Sequence, residues 1–583
     1  MPALMIRRRT LLLAAVMTFL GLAGRPSGAQ EFRVDCDALD AILDPLERPG
    51  QPGGVLLVQR DGERVYERAF GLASVEHGVP NRPSTVFKIS YGEAREFTAM
   101  AVAMLAADGT LSLDDSVRKH VPELPAFADA ITLRHLIHHA SGLPDYGALF
   151  LLTGWQLYNP LSDREFFELL GRLEGPDFPP GTDYMYSNTD YALLAFVVER
   201  ASGTSLREVC ERELFAPLGM TSTRVNDNYG LVVANRAYDY YPWTDGLFLA
   251  RREKTSPAGR NGVLTTVEDL ARWAAALDDT RSPVGRAAMA LREGARFPPG
   301  RPGEHVFGHY LRSYRGLDLV CHQGINDSVY LVRIPERRVS IAFLVNGRFS
   351  AVHTVNRVID ALFFDTPGPP EGPPGLDADT LGRWQALLAR HPHGVDVAPA
   401  DLQRLAGTYS SLIASRGRDF RAAIADGKLV GEFGDPIVPL GDGVFYYFGA
   451  FVEVEPPAEG EPVRLKAYAG DSGQVIEHFE LRPPAPAPDP AALALLPGRY
   501  HSDVLGVTWT LATRDGQLIL ERERMPETVL ELTAQDTYAL AVMADAEAYV
   551  FDMTVTVHRD AQGRPTRLVV SHARIRGLAF DRL

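Results

Sequence analysis

The stretch Thr85-Val86-Phe87-Lys88-Ile89-Ser90-Tyr91-Gly92-Glu93-Ala94-Arg95-Glu96-Phe97-Thr98-Ala99-Met100-Ala101 decides how this chain folds and leaves open what it does. From Phe97 to Ala107 apolar residues recur at helical spacing. Just before them, Ser90-x-x-Glu93 has the pattern of a capping box, in which the serine accepts from a backbone N–H and the glutamate reaches back. If the helix begins a turn early, the same two residues read instead as a nucleophile with its base.

Working outward, Gly53-Gly54-Val55-Leu56-Leu57-Val58 and Arg64 to Phe70, joined by Asp61-Gly62, read as a hairpin. Ala192 to Ala201 has helical spacing, while Ser328 to Ile334 and Val339 to Val345 read as neighbouring strands joined by Pro335-Glu336-Arg337-Arg338. Strands at both ends with helices between them predict an α+β layout, an antiparallel sheet flanked by helices.

At 583 residues the chain is too long for one ordinary domain. Residues 1–29 read as an export signal: a basic Arg7-Arg8-Arg9 cluster, an apolar run from Leu11 to Leu22, and small Ser27-Gly28-Ala29 before the cleavage point. That run is short for a membrane span, so the mature protein is expected to be periplasmic or secreted, with no stable span after cleavage. The arginine pair also fits a twin-arginine route. Removing Arg7, Arg8, Arg9 and Arg25 takes the net charge of −15 four units further negative, which argues against nucleic acid as a partner.

Residues 30–365 form the expected first domain. The cluster Thr366-Pro367-Gly368-Pro369-Pro370-Glu371-Gly372-Pro373-Pro374 opens a Pro-rich linker over 366–400, and a second cluster, Pro483 to Pro490, separates two further pieces, 401–482 and 491–583. The two pieces resemble each other: Gly407-Thr408-Tyr409-Ser410 with Asp426-Gly427-Lys428-Leu429 in one, Gly498-Arg499-Tyr500-His501 with Asp515-Gly516-Gln517-Leu518 in the other. Short apolar alternations broken by Asp-Gly turns predict two small all-β barrels or sandwiches. Cys36, Cys210 and Cys321 allow at most one bridge, and none has zinc-ligand spacing.

Three motifs carry the chemistry. Tyr186-Ser187-Asn188 follows the Pro180-Gly181 turn and precedes a helix, placing a phenol and an amide where one cleft can hold both. His322-Gln323-Gly324 precedes the two terminal strands of the first domain. Glu199-Arg200-Ala201-Ser202-Gly203, Leu214 to Met220, His139 to Tyr146 and Gly262 to Ala271 are further landmarks. Together these resemble the penicillin-recognising serine hydrolases: class C β-lactamases, DD-peptidases, D-aminopeptidases and their esterase relatives. The resemblance covers about residues 40 to 360, and the two β pieces look like the accessory barrels of some D-aminopeptidases.

The resemblance implies a serine at a helix N-terminus, a lysine three residues on that takes its proton, the motif tyrosine assisting transfer, and backbone N–H groups that stabilise the oxyanion. This chain departs from it. Aligned from Phe97-Thr98-Ala99, Gly92 holds the serine position and Arg95 the lysine position; aligned from Phe87 and Ile89, Tyr91 holds the serine position. Glycine supplies no nucleophile, and arginine is a poor base at neutral pH.

Two classes of function follow. In one, the cleft binds a small-molecule or peptide ligand bearing an amide, ester or carboxylate, with Arg95, Asn188, His322 and Gly324 as ligand-binding residues and no acyl-enzyme chemistry. In the other, Ser90 or Tyr91 is a displaced nucleophile, Tyr186 shuttles the proton and His322 orients the ligand. No cofactor is expected. His135, His138 and His139 share a face if the helix runs through them, but no carboxylate motif accompanies them and no metal is expected there.

Overall fold

The computed structural model describes residues 32–89, 92–155, 161–228, 230–242, 247–251, 262–293, 305–323, 329–347, 349, 351–366, 378–411, 420–425, 427–431, 436–447, 450–455, 462–469, 475–481, 489–514, 516–523, 525, 527–543 and 550–583. Its first domain is built on a seven-stranded antiparallel sheet. The strands are β1 (Gly54–Arg60), β2 (Glu63–Phe70), β3 (His305–Val306), β4 (His309–Tyr314), β5 (Leu317–Gln323), β6 (Val329–Ile334) and β7 (Val339–Val345), in the order β3-β4-β5-β6-β7-β1-β2. The Asp61-Gly62 hairpin and the β6–β7 pair stand as expected, and Gly54 pairs with Val345 to close the two ends of the domain into one sheet.

Both faces of this sheet are covered, which is why β1 is a continuous apolar run rather than an alternation. Leu56 and Val58 face α1 (Cys36–Leu43) and a C-terminal helix, Ala351–Phe363, in one core with Leu39, Phe343 and Ile359. Val55 and Leu57 face the helical side, where α2 (Gly92–Ala107), α3 (Leu133–Ile137), α4 (Tyr146–Leu152), α5 (Asn188–Ser202) and α6 (Val267–Asp278) supply Met100, Val197 and Trp273.

Residues 378–390, inside the expected linker, are not linker: Ala378–Arg390 is a helix whose Trp384 packs on Phe451 and Tyr468 of the first β domain. That domain is an eight-stranded sheet, and the second is a closed barrel of eight strands. The repeat seen in sequence has a structural counterpart. The hydroxyls of Tyr409 and Tyr500, both buried, donate to the carbonyls of Leu405 and Leu496, each at 2.9 Å, tying each domain's first strand to the helix region before it. The barrel's core is continuous with the helical core of the first domain, and Trp509 Nε1 donates to the Leu152 carbonyl at 3.2 Å. Among the described residues no helix is long and apolar enough to cross a membrane. All three cysteines are free; Cys210 and Cys321 are buried and Cys36 is exposed.

Candidate functional site

The cleft is assembled where the first turns of α2, α4 and α5 meet. Helix α2 opens at Gly92, and Arg95 projects from its first turn into a site where it is 2% exposed. Ser90 and Tyr91 lie outside the described residues, as do Gly324 and the side chains of 92–94, so the Ser90-x-x-Glu93 cap falls outside them too. Helix α5 begins at Asn188 with Ser187 as its N-cap residue, so Tyr186 and Asn188 flank a helix start and share one cleft.

Arg95 Nη2 donates to Asn188 Oδ1 at 2.5 Å, and its guanidinium carbon lies 4.2 Å from the centroid of Tyr186 and 5.2 Å from that of Tyr191. Asn188 is oriented by Asp145, whose Oδ2 accepts from the Asn188 backbone N–H at 2.9 Å and from Nδ2 at 2.6 Å. Asp145 Oδ1 meanwhile caps α4 through Ala148 N–H at 3.0 Å. With Asn188 fixed by Asp145, its oxygen is left for Arg95. The Nε and Nη1 groups of Arg95 are buried and make no hydrogen bond among the described residues.

A second cation comes from the barrel. The tip of the hairpin formed by Pro565–His572 and Ile575–Arg582 carries Arg574, whose guanidinium carbon is 4.7 Å from the Tyr186 centroid and whose Nη1 is 3.8 Å from Asp145 Oδ2. The Arg574 carbonyl accepts from Asp145 N–H at 3.0 Å, and Arg576 bonds Asp177 and Asp183. The barrel therefore forms part of the cleft wall.

Beneath Tyr186, His139 Nδ1 accepts from Ser187 N–H at 3.3 Å and lies 3.0 Å from Asp190 Oδ2; Ser141 Oγ donates to the other oxygen at 2.5 Å. An imidazole nitrogen that accepts a backbone N–H carries no proton, so Asp190 brings the proton to this contact. Burial agrees, raising the Asp190 carboxyl well above its ordinary range. Tyr184 and Tyr191 are likewise held as neutral phenols, chiefly by burial.

The histidine trio of the sequence does not share a helix face. Helix α3 stops at Ile137; His135 serves its capping box, His138 follows the helix, and His139 turns the chain with φ of 54°. The metal-competent group among the described residues is a different one: Glu96, His309 and His322, with donor atoms all within 4.8 Å. His322 is thereby paired with Glu96. Burial works against the Glu96 charge, but the two imidazoles outweigh it and hold the carboxyl below its usual range. Glu96, His309, Asp145, Asp190 and Arg574 were given no role in the sequence reading. Asp145 and His139 stood in a quoted landmark, while nothing near Arg574 in the sequence marks it.

With this geometry in view, comparison with known proteins places the chain. The family described as Beta-lactamase matches residues 39–362, and the chain belongs to that family. It is 31% identical over 207 residues to Penicillin-binding protein 4* of Bacillus subtilis (strain 168), a match covering 35% of this chain and 44% of that protein, so it spans less than half of that relative's length. It is 25% identical over 495 residues to a D-aminopeptidase of Cereibacter sphaeroides (strain ATCC 17029 / ATH 2.4.9), covering 83% of this chain and 86% of the other. Among solved structures, an octameric penicillin-binding protein homologue from Pyrococcus abyssi aligns over 94% of this chain and 100% of its own, at 18% identity and a TM-score of 0.49.

Proposed function

We propose that this chain is an exported member of the β-lactamase family that binds a small-molecule or peptide ligand through its carboxylate, amide or ester group, with acyl-enzyme hydrolysis impaired or absent. The observation that carries this reading is Arg95: a guanidinium 2% exposed, fixed on one side by Asn188 and Tyr186, with Nε and Nη1 unpartnered among the described residues. Cδ lies between Nε and Nη1, so their N–H groups leave the guanidinium by different edges; each can donate to an oxygen of an anionic or carbonyl ligand, and a buried donor left unmatched is costly. The residue in the lysine position of the downstream register is thus an anion holder rather than a proton acceptor. The D-aminopeptidase likeness supports a ligand of peptide or amino-acid-amide type. Export rests on the first 29 residues.

That same likeness favours a second reading, hydrolysis or acyl transfer through Ser90 or Tyr91 with Tyr186 moving the proton. Intact-mass measurement after incubation with a fluorescent penicillin and with an activated ester separates the two. The binding reading expects no adduct, together with capture of a peptide bearing a free C-terminal carboxylate that weakens roughly 10- to 100-fold in Arg95→Met. A covalent adduct lost in Ser90→Ala or Tyr91→Phe overturns it.

A further inference from the structure

One residue beyond Arg95, on the same helix, Glu96 is fully buried. Its two carboxylate oxygens face two imidazoles from the sheet: His309 Nε2 meets Oε1 and His322 Nδ1 meets Oε2. His309 and His322 are 1% and 3% exposed, and their ring centroids are 5.6 Å apart. The sheet register brings them together. Tyr310 pairs with Cys321, and one step further along the antiparallel strands β4 and β5 sets His309 opposite His322 on the face toward α2.

We infer that Glu96, His309 and His322 form a binding site for one divalent first-row transition-metal ion, zinc foremost. Two imidazole nitrogens and one carboxylate oxygen are the donor set of borderline metals, and donor atoms gathered within 4.8 Å fit bonds of about 2.0–2.2 Å to one centre after a small separation of the ligands. Three protein ligands leave a coordination position for water or an anion. Each ligand comes from a different element, α2, β4 and β5, so the ion would pin the helix that carries Arg95 to the sheet beside it.

The surroundings are built for close approach. Gly308 precedes His309 with φ of +94°, and a Cβ there would meet Glu96 N at 3.0 Å and Glu96 Cα at 3.2 Å, so glycine lets the turn lie against the helix. Without an ion the same three groups are one carboxyl and two imidazoles packed together out of contact with solvent. Arg333, the nearby cation on β6, is already committed to Asp278. A second cation within range, Arg292, is partly buried on the helix Pro283–Glu293. A divalent ion would take one donor atom from each of the three groups at once. This inference does not depend on the ligand proposed for Arg95.

The test uses the full chain. After growth with added zinc and gel filtration, metal analysis is expected to find about one equivalent per chain, and chelator-treated protein refilled with cobalt(II) is expected to show the visible absorption of a four- or five-coordinate ion. His309→Ala is expected to lose both. Glu96→Gln keeps the shape of the side chain but drops its charge and turns one acceptor oxygen into an N–H donor, and is expected to weaken zinc by more than the 10- to 100-fold typical of an outer-shell partner. Zinc far below stoichiometry with no cobalt band in the wild-type chain, or equal metal content in wild type and Glu96→Gln, overturns the site and leaves a hydrogen-bonded His-Glu-His cluster. Because the cobalt band is read on the wild-type chain, a variant that fails to fold does not blunt the result.

Discussion

The guanidinium of Arg574 sits 4.7 Å from the ring centroid of Tyr186, although the two residues belong to different domains. Arg95 lies 4.2 Å from the same ring, so one phenol is shared by two cations. Replacing Arg574 by alanine removes one cation–π contact and the longer attraction to Asp145, a loss of about 1 kcal/mol that scanning calorimetry should register as a lower barrel transition. It also halves the positive charge around the cleft, and titration with a carboxylate-terminated peptide should weaken several-fold. Unchanged affinity in a folded Arg574→Ala chain would remove Arg574 from the anion field.

Asp145 does two jobs with its two oxygens, capping α4 and orienting Asn188. Asp145→Ala should cost roughly 2–3 kcal/mol, the sum of a lost cap and of buried donors left unmatched. Urea unfolding followed by tryptophan fluorescence measures it. Asn188, freed to rotate, would also lose its hold on Arg95, so ligand binding should fall beyond what the loss of folded protein explains.

If the downstream register is the right one, Gly92→Ser combined with Arg95→Lys rebuilds a nucleophile and its base three residues apart on α2. The double variant should become labelled by an activated ester, while Gly92→Ser alone, still facing a guanidinium, should label far more slowly. Labelling at Tyr91 instead, read by peptide mapping, would assign the upstream register, and labelling at Ser90 the early helix start.

Two histidines outside the metal cluster set an acid limit. Burial pushes His138 and, at the barrel hairpin, His572 down to about 4 from an ordinary 6.5. Lowered folded values mean stability that is complete above pH 6.5 and drains away as pH falls through 4, because the unfolded chain takes up these protons first. Asp177 acts in the opposite direction: burial raises it to about 6, so its protonation favours the folded chain as pH falls from about 6 toward the ordinary carboxylate value. Thermal midpoints should drop between pH 6.5 and 4, and drop further in Asp177→Asn, which lacks that offset. A flat profile would contradict the burial of both imidazoles.

Local features of the fold were legible because their causes are local. The Asp61-Gly62 turn, the β6–β7 pair and the helix start after Tyr186 are each written in a few consecutive residues. The proline cluster at 367–374 hid the apolar spacing of Leu381, Trp384, Leu387 and Leu388, which is amphipathic and docks the helix there on the β domain. The shared face that His135, His138 and His139 would have on a continuous helix does not form, because the helix stops at Ile137 and His139 takes a left-handed turn toward Asp190. Glu96 with His309 and His322, and Tyr186 with Arg574, are contacts between distant segments. No spacing rule reaches them; only the sheet register and the docking of the barrel bring them into contact.

The Arg574 hairpin gives the cleft a history as well as a shape. Residues 95, 145 and 188 leave the ribosome long before residue 574, and at ordinary synthesis rates the interval is on the order of tens of seconds. Until then the cleft can have neither the second guanidinium nor the backbone bond from Asp145 to the Arg574 carbonyl. Completion of the cleft wall is thus a late event in the making of the chain, and a polypeptide released before residue 574 would lack that wall.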